Sequence, residues 1–271
     1  MEGRFEHWLS LAGHEPLAVL LDLDGTLIPF AATPAEARPG PDILALLARL
    51  AALPGLSCVV VSGRPRAALA EMFDATPGLT LVAEHGAWRK GGGAWAQAAE
   101  VDEVALDDLA ARLGALVNAH AGALLERKTA SVCAHYRLVR GAERESFLAG
   151  ASALLGGWLH ERPGFERLEV IEAIEVRARH VHKGSALPWV RNLAGAGVRC
   201  VALGDDMTDE DTFAALGSRD DAVLVGPGGR PTLARWRLDD PAAAREFLRW
   251  LVAVREGGAV DTTAALPKPI A

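Results

Sequence analysis

Short apolar runs alternate along this chain with longer stretches whose apolar positions recur every three or four residues. Residues 17–23, 56–61 and 79–83 read as buried strands. Between them, residues 39–53 (apolar at Ile43, Leu46, Leu47 and Leu50) and 66–73 have helical spacing. The alternation resumes in the last third, with a helix over 185–193, a strand over 198–203, a helix over 209–216 and a strand over 222–225. Strands alternating with helices predict an α/β core with a doubly wound, parallel, Rossmann-like sheet.

The middle of the chain has a different rhythm. Residues 101–121 carry Leu106, Leu109, Leu113, Leu116 and Val117 on one helical side, and 143–159 reads as a second helix. Residues 123–128, 131–139, 167–172 and 174–178 read as strands, expected to pair antiparallel, with Val132, Ala134, Tyr136 and Leu138 facing inward. An inserted α+β cap domain is therefore expected at 99–178, within a core made of 1–98 and 179–271. Hinges are expected near Gly91–Gly93 and His180–Lys183. The stretch after Gly257 has little periodicity and is expected to be loosely held.

Half of the 271 residues are hydrophobic, enough for a sizeable core, and the net charge of −7 lacks the basic footprint that nucleic acid or an acidic membrane requires. Cys58, Cys133 and Cys200 each lie in a short apolar run without CxxC spacing, and are expected to be buried thiols in a reducing cytoplasm. The opening MEGRFEHWLS does not read as a signal peptide, and no apolar stretch approaches transmembrane length.

The polar clusters fall at the carboxyl ends of predicted strands, the edge where doubly wound sheets bind ligands. Asp22 and Asp24, two apart at the end of an apolar run, are expected to face one spot, where they repel unless a cation or shared proton intervenes. Gly25 and Thr26 follow, with amides suited to an anion. Ser62-Gly63-Arg64 ends a second strand, and Glu84-His85-Gly86 a third. Lys183 opens a helix, where its charge is unfavourable to the dipole unless it faces an anion. Five acidic residues occupy positions 205–211, right after a buried strand, as a hard divalent cation would require. A turn, a capping serine, a solvated lysine and an acidic helix start would each explain one piece alone, but an acidic helix start leaves the Asp205-Asp206 pair unexplained.

In this order, DLDGT, SGR, the lysine of HKG and GDDMTDE resemble the four motifs of the haloacid dehalogenase-like phosphohydrolases. The resemblance implies that Asp22 is a nucleophile forming an aspartyl-phosphate, and that Asp24 is the general acid and then base. It implies Mg²⁺ held by the Asp22 carboxylate, the Asp24 carbonyl and Asp205, with Asp209 in support. It implies a phosphate cradle of Gly25, Thr26, Ser62, Gly63 and Lys183. Within the superfamily, GALLERKTASVCAHYR, AEHGAWRKGGGAW and IEVR before HKG resemble the trehalose-6-phosphate phosphatases, over residues 17–240. This implies sugar contacts from Glu126, Lys128, His135, Arg137 and Glu175, with Arg64 and His85 near the pocket rim. It also implies a small sugar-phosphate substrate and a synthase domain or protein as a partner; the chain itself is expected to be a monomer. Arg179-His180-Val181-His182 departs from the usual small or polar stretch, and is expected to sit on a hinge.

Two other functions compete. A phosphatase of glucosyl- or mannosyl-phosphoglycerate would share the core, but ERK…HYR argues for the trehalose family. A catalytically silent sugar-phosphate sensor would be expected to have lost Asp22, Asp24, Ser62, Lys183 or Asp205, and all are present. From strand pattern alone, the polar residues at 126–137 suit an ordinary wet sheet face as well as a sugar site.

Overall fold

The computed structural model describes all residues except Met1, Ala32, Pro34, Ala35, Ile171, Ala259, Val260, Thr262, Thr263 and Ala271, and omits the side chains of Glu2, Glu169 and Val170. The chain forms two compact units, Met1–Ala96 with His182–Ala271, and Gln97–Val181.

The first unit is built on β1 (Leu17–Leu21), β2 (Leu56–Val61), β3 (Thr80–Ala83), β4 (Trp88–Lys90) and β5 (Ala96–Gln97), with β10 (Arg199–Gly204), β11 (Asp221–Val225), β12 (Trp236–Leu238) and β13 (Lys268–Pro269). Among the described residues the sheet order is β13-β12-β11-β10-β1-β2-β3-β4-β5, parallel from β12 through β3, with β4 and β13 antiparallel to their neighbours. The chain runs outward from β1 to β2 and β3, then returns to the other side of β1 with β10. The switch point therefore lies between β1 and β10, whose register pairs Leu21 with Leu203.

Both faces of this sheet are covered, so its strands are apolar throughout rather than alternating. Leu17, Val19 and Leu21 join the larger core with residues of α1 (Glu2–Ala12), α2 (Pro41–Ala52), α3 (Arg66–Phe73) and α8 (Pro241–Arg255). Ala18 and Leu20 point the other way, toward α6 (Leu187–Ala194) and α7 (Met207–Ala215). The stretch after Gly257 lies partly outside the described residues. Of what is described, Leu266 is buried in the larger core and Lys268–Pro269 pairs with β12, so this part is anchored.

The second unit has a sheet of order β6-β7-β9-β8, antiparallel throughout, from β6 (Leu124–Arg127), β7 (Ser131–His135), β8 (Phe165–Val170) and β9 (Ala173–Ala178). Its helices are α4 (Glu103–Asn118), started by Asp102 whose carboxylate accepts the Ala105 N–H at 3.0 Å, and α5 (Gly141–His160). Leu106, Leu109 and Leu113 of α4 and Phe147, Ala151 and Leu155 of α5 are buried, as are Val132, Ala134, Ile174 and Val176 of the sheet. By the period of two, Cys133, His135 and Glu175 belong to the opposite sheet face. The inward run expected to reach Leu138 stops early. β7 ends at His135, the chain turns through Tyr136–Val139, and Leu138 is 44% exposed. Gly91–Gly93, expected to be a hinge, lies in the turn between β4 and β5, ahead of the boundary between the units.

Candidate active site

Every core motif reaches the same carboxyl edge of the sheet. The Asp22 N–H donates to the Leu203 carbonyl at 3.0 Å, carrying the β1–β10 pairing one residue past β1. That sets Asp22 beside the loop that follows Gly204. Lys183, 3% exposed, lies between two carboxylates, 2.5 Å from Asp22 Oδ1 and 2.8 Å from Asp209 Oδ1. A lysine at a helix start is thus explained by two buried anions from other elements rather than by solvent.

Asp209 also organises the acidic loop. Its Oδ2 accepts the N–H groups of Asp205 and Asp206, each at 3.1 Å, completing a capping box at the start of α7. Asp205 Oδ1 accepts the Thr26 hydroxyl at 3.0 Å, tying the loop after β10 to the loop after β1. Gly25 stands at φ +89°, and a Cβ there would overlap the Asp205 carboxylate, so both conformation and space exclude a side chain.

Asp24 does not share Asp22's surroundings. β1 ends at Leu21, so the period-two expectation fails. The Asp24 carboxylate instead receives a two-pronged bond from Arg64, Nε to Oδ2 at 2.6 Å and the terminal nitrogen to Oδ1 at 2.5 Å. The negative charge of Asp24 is thus met by a guanidinium, and that of Asp22 by the Lys183 ammonium. Arg64, expected near a pocket rim, is 8% exposed and committed to Asp24. Ser62 is 2% exposed, and its hydroxyl accepts the Arg64 N–H at 3.1 Å.

His85 is buried, and its ring lies 2.5 Å from where a Cβ on Gly63 would stand, so Gly63 is required by close approach. Glu84 and His85 take left-handed φ angles of 51° and 57°, and their N–H groups donate to the carbonyls of Arg64 (3.0 Å) and Ser62 (3.1 Å). This turn fastens the Ser62–Arg64 loop from behind. The Gly25 amide, expected to be open to an anion, donates to the Ile28 carbonyl at 2.7 Å.

Burial pushes the Asp22 carboxyl well above the usual carboxylate range; Lys183 pulls against this, while Asp209 and Asp205 add to it. Asp205 is pushed up to about 7, by burial first and the Asp209 charge second. Burial alone would lower Lys183, but Asp209 and Asp22 outweigh it and hold the ammonium protonated above its ordinary range. Asp22, Asp205 and Asp209 each offer an oxygen within 4.8 Å of the others. Crowded carboxylates whose ionisation burial opposes fit a hard divalent cation, which favours their charged forms.

Arg230 had no signature in the sequence, since its GGRP loop carries no motif. It donates to the carbonyls of Asp205 and Asp206, each at 3.2 Å, and to Glu210 at 2.7 Å, clamping the acidic loop from a different segment.

In the second unit, four of the expected sugar-contact residues come together. Lys128 lies 3.0 Å from Glu175 and 3.7 Å from Glu126, and His135 lies 3.3 Å from Glu126. Ser131 joins them, donating to Glu175 at 2.5 Å. Burial opposes the Lys128 charge, but Glu175 overrides it and raises the ammonium above its usual range. Burial would raise Glu126, yet the His135 hydrogen bond and the Lys128 charge bring it below the usual range. Arg137 stands apart, beyond the end of β7, paired with Glu172 at 3.1 Å.

A parallel sheet with an aspartate at the switch point, a lysine between two carboxylates, and an α+β unit inserted in the chain define the class. This is the fold of the haloacid dehalogenase-like hydrolases. The chain belongs to the trehalose-phosphatase family, whose model matches residues 20–242. A bifunctional trehalose-6-phosphate synthase/phosphatase of Thermoproteus tenax is 36% identical over 86% of this chain and 31% of its own length. A trehalose-phosphate phosphatase of Mycolicibacterium paratuberculosis is 34% identical over 92% of this chain and 65% of its own. The chain thus spans less than two thirds of either curated relative. The solved C-terminal domain of C. albicans trehalose-6-phosphate phosphatase shares the fold with a TM-score of 0.81, at 24% identity, covering 92% of this chain and 97% of that one. No described helix is long and apolar enough to cross a membrane.

Proposed function

We propose that this chain is a Mg²⁺-dependent phosphatase converting trehalose 6-phosphate to trehalose and inorganic phosphate. The observation that carries the reading is the buried Asp22–Lys183–Asp209 bridge at the switch point, with Asp24 held separately by Arg64. Asp22 attacks phosphorus and the P–O bond to the sugar breaks, leaving an aspartyl-phosphate. Asp24 takes up a proton from solvent and gives it to the departing sugar oxygen, then takes one from the water that attacks the same phosphorus. The second step releases phosphate and restores the Asp22 carboxylate. Lys183, Ser62 and the Gly63 and Thr26 backbone hold the phosphoryl oxygens, in keeping with a reaction governed by position and charge neutralisation. Mg²⁺, held by Asp22, the Asp24 carbonyl and Asp205 with Asp209 behind them, would supply positive charge to the phosphoryl group.

The inserted unit, residues 99–178 in this reading, recognises the sugar through Glu126, Lys128, His135 and Glu175, with Arg137 at the edge. Their charge-assisted donors and acceptors suit a polyhydroxyl ligand. The enzyme acts in the cytoplasm, consistent with three buried free cysteines, as a monomer, and beside or joined to a trehalose-6-phosphate synthase. The test is single-turnover mixing of the Asp24→Asn variant with trehalose 6-phosphate and Mg²⁺, followed by intact-protein mass. The expected result is a mass gain of one phosphoryl group, mapped to Asp22 and absent when Asp22 is also replaced by Asn. Phosphate release from wild type without any trapped adduct, or an adduct mapped elsewhere, would overturn the mechanism.

A further inference from the structure

Cys133 has no part in the reaction proposed above, yet it lies among the residues of the polar sheet face. It pairs directly across the ladder with Glu126 on one side and Glu175 on the other. His135 is two residues along the same strand and therefore on the same face. The Cys133 sulfur, a His135 ring nitrogen and a Glu126 carboxylate oxygen all lie within 4.8 Å of one another. Glu126 and His135 already approach to 3.3 Å, and their side chains are 32% and 24% exposed, which gives an ion a route in from solvent.

We propose that Glu126, Cys133 and His135 form a second metal site, specific for a thiophilic divalent cation of the zinc class and distinct from the aspartate cluster of the core. A sulfur, an imidazole nitrogen and a carboxylate oxygen make the mixed donor set that Zn²⁺ accepts and Mg²⁺ does not. Three protein ligands leave a fourth position open, the arrangement of zinc sites that exchange a water or ligand. Binding requires the Cys133 thiol to lose its proton to water as the metal–sulfur bond forms. Burial and the neighbouring Glu175 charge otherwise keep that thiol protonated, so free Cys133 is not a reactive thiolate.

The local charge balance favours the exchange. Glu126 and Glu175 are two carboxylates against the single Lys128 ammonium, 3.7 and 3.0 Å away. A dication together with a new thiolate leaves this cluster neutral. Lys128 stands beside the site and opposes the incoming ion, so binding requires its ammonium to give up Glu126 at 3.7 Å and stay with Glu175 at 3.0 Å. Glu126 and His135 would exchange their mutual hydrogen bond for metal bonds. Because the same two side chains are assigned to the sugar, an inference that rests on the function proposed above, the metal and trehalose 6-phosphate would compete.

The test uses the full chain with Mg²⁺ in excess to fill the core site, titrated with Co²⁺ as a coloured substitute for Zn²⁺. A thiolate-to-cobalt charge-transfer band with visible d–d bands is expected, bleached by added Zn²⁺ and abolished in Cys133→Ala. The core cluster holds no sulfur, and the thiols of Cys58 and Cys200 are buried in β2 and β10. Loss of a direct ligand should weaken binding by more than the roughly 10–100-fold that loss of an outer partner costs. Zn²⁺ should raise the KM for trehalose 6-phosphate in wild type and leave it unmoved in Cys133→Ala. A folded wild type without a charge-transfer band, or a band that survives Cys133→Ala, would overturn the site. A band accompanied by an unmoved KM would uphold the site and overturn the competition. The cobalt spectrum decides the site whatever the substrate proves to be.

Discussion

Replacing Lys183 by methionine removes a cation from between two buried carboxylates while keeping most of the side chain's volume. The contacts are 2.5 Å to Asp22 and 2.8 Å to Asp209. At an effective dielectric of about 20, each is worth roughly 6 kcal/mol before desolvation is counted. Taking the ions out of water costs several kcal/mol apiece, which cancels much of that attraction in the intact site. In Lys183→Met that cost remains for the carboxylates and the attraction is gone. A loss of about 3–5 kcal/mol is expected, a large share of a stability on the order of 5–15 kcal/mol.

The loss should depend on pH, and its sign follows from the site. In wild type Lys183 has a folded pKa above its unfolded one, so its contribution is fully present throughout the neutral range. In the variant, nothing offsets the burial that already raises Asp22. A carboxyl with a raised folded pKa favours the folded state when protonated, and that advantage fades as pH rises. The variant should therefore recover part of its deficit as pH falls from neutral toward the ordinary carboxylate range. The assay is urea unfolding followed by tryptophan fluorescence in EDTA, for wild type and variant at each pH. A deficit below about 1 kcal/mol that does not change with pH would be the signature of a surface pair, and would refute the buried charge bridge.

Three further outcomes are expected. Gly25→Ala forces a Cβ at φ +89° into the Asp205 carboxylate, so it should cost about 1–3 kcal/mol in unfolding free energy and abolish phosphate release; activity near wild type would contradict the close approach. Asp205 has its folded pKa raised from 3.8 to about 7, so its contribution in metal-free protein falls as pH rises across that interval. Thermal melts in EDTA should show this fall in wild type relative to Asp205→Asn, and Mg²⁺ should remove it; identical pH profiles for the two proteins would count against the assignment. Arg64→Leu releases Asp24 from its two-pronged bond, and steady-state kinetics should show kcat falling by about 10²-fold or more with a smaller change in KM, as expected when an acid–base group is mispositioned; a rise in KM alone would mean that Arg64 serves binding instead.

Much of the core was legible because apolar runs and strand-end polar residues are local signals. β2 and α3 begin and end where the spacing placed them. What escaped depends on contacts between distant segments or on where a strand stops. Asp24 and Arg64 are 40 residues apart, and nothing local in DLDGT reveals that the second aspartate turns toward a guanidinium. The same-face argument for Asp22 and Asp24 assumed that β1 continued past Leu21. Arg137 leaves the polar face for a similar reason, because β7 stops at His135. Arg230 acts through its reach to the carbonyls of Asp205 and Asp206, invisible in a loop without periodicity. α8 carries a local signal as well: Asp240 caps Ala243 at 2.8 Å, Pro241 opens the helix, and Phe247, Leu248, Leu251 and Val252 line its buried side. The anchored Leu266 and β13 had no comparable signal, because a two-residue strand has no measurable period.

Phosphate release from trehalose 6-phosphate, glucose 6-phosphate and glucosyl- and mannosyl-phosphoglycerate, each with Mg²⁺ and with EDTA, for wild type beside Asp22→Asn, tests the central claim most directly. The account predicts metal-dependent release from trehalose 6-phosphate, far above the others and lost in Asp22→Asn. Preferential release from a different sugar phosphate, or release that persists in Asp22→Asn, would contradict it.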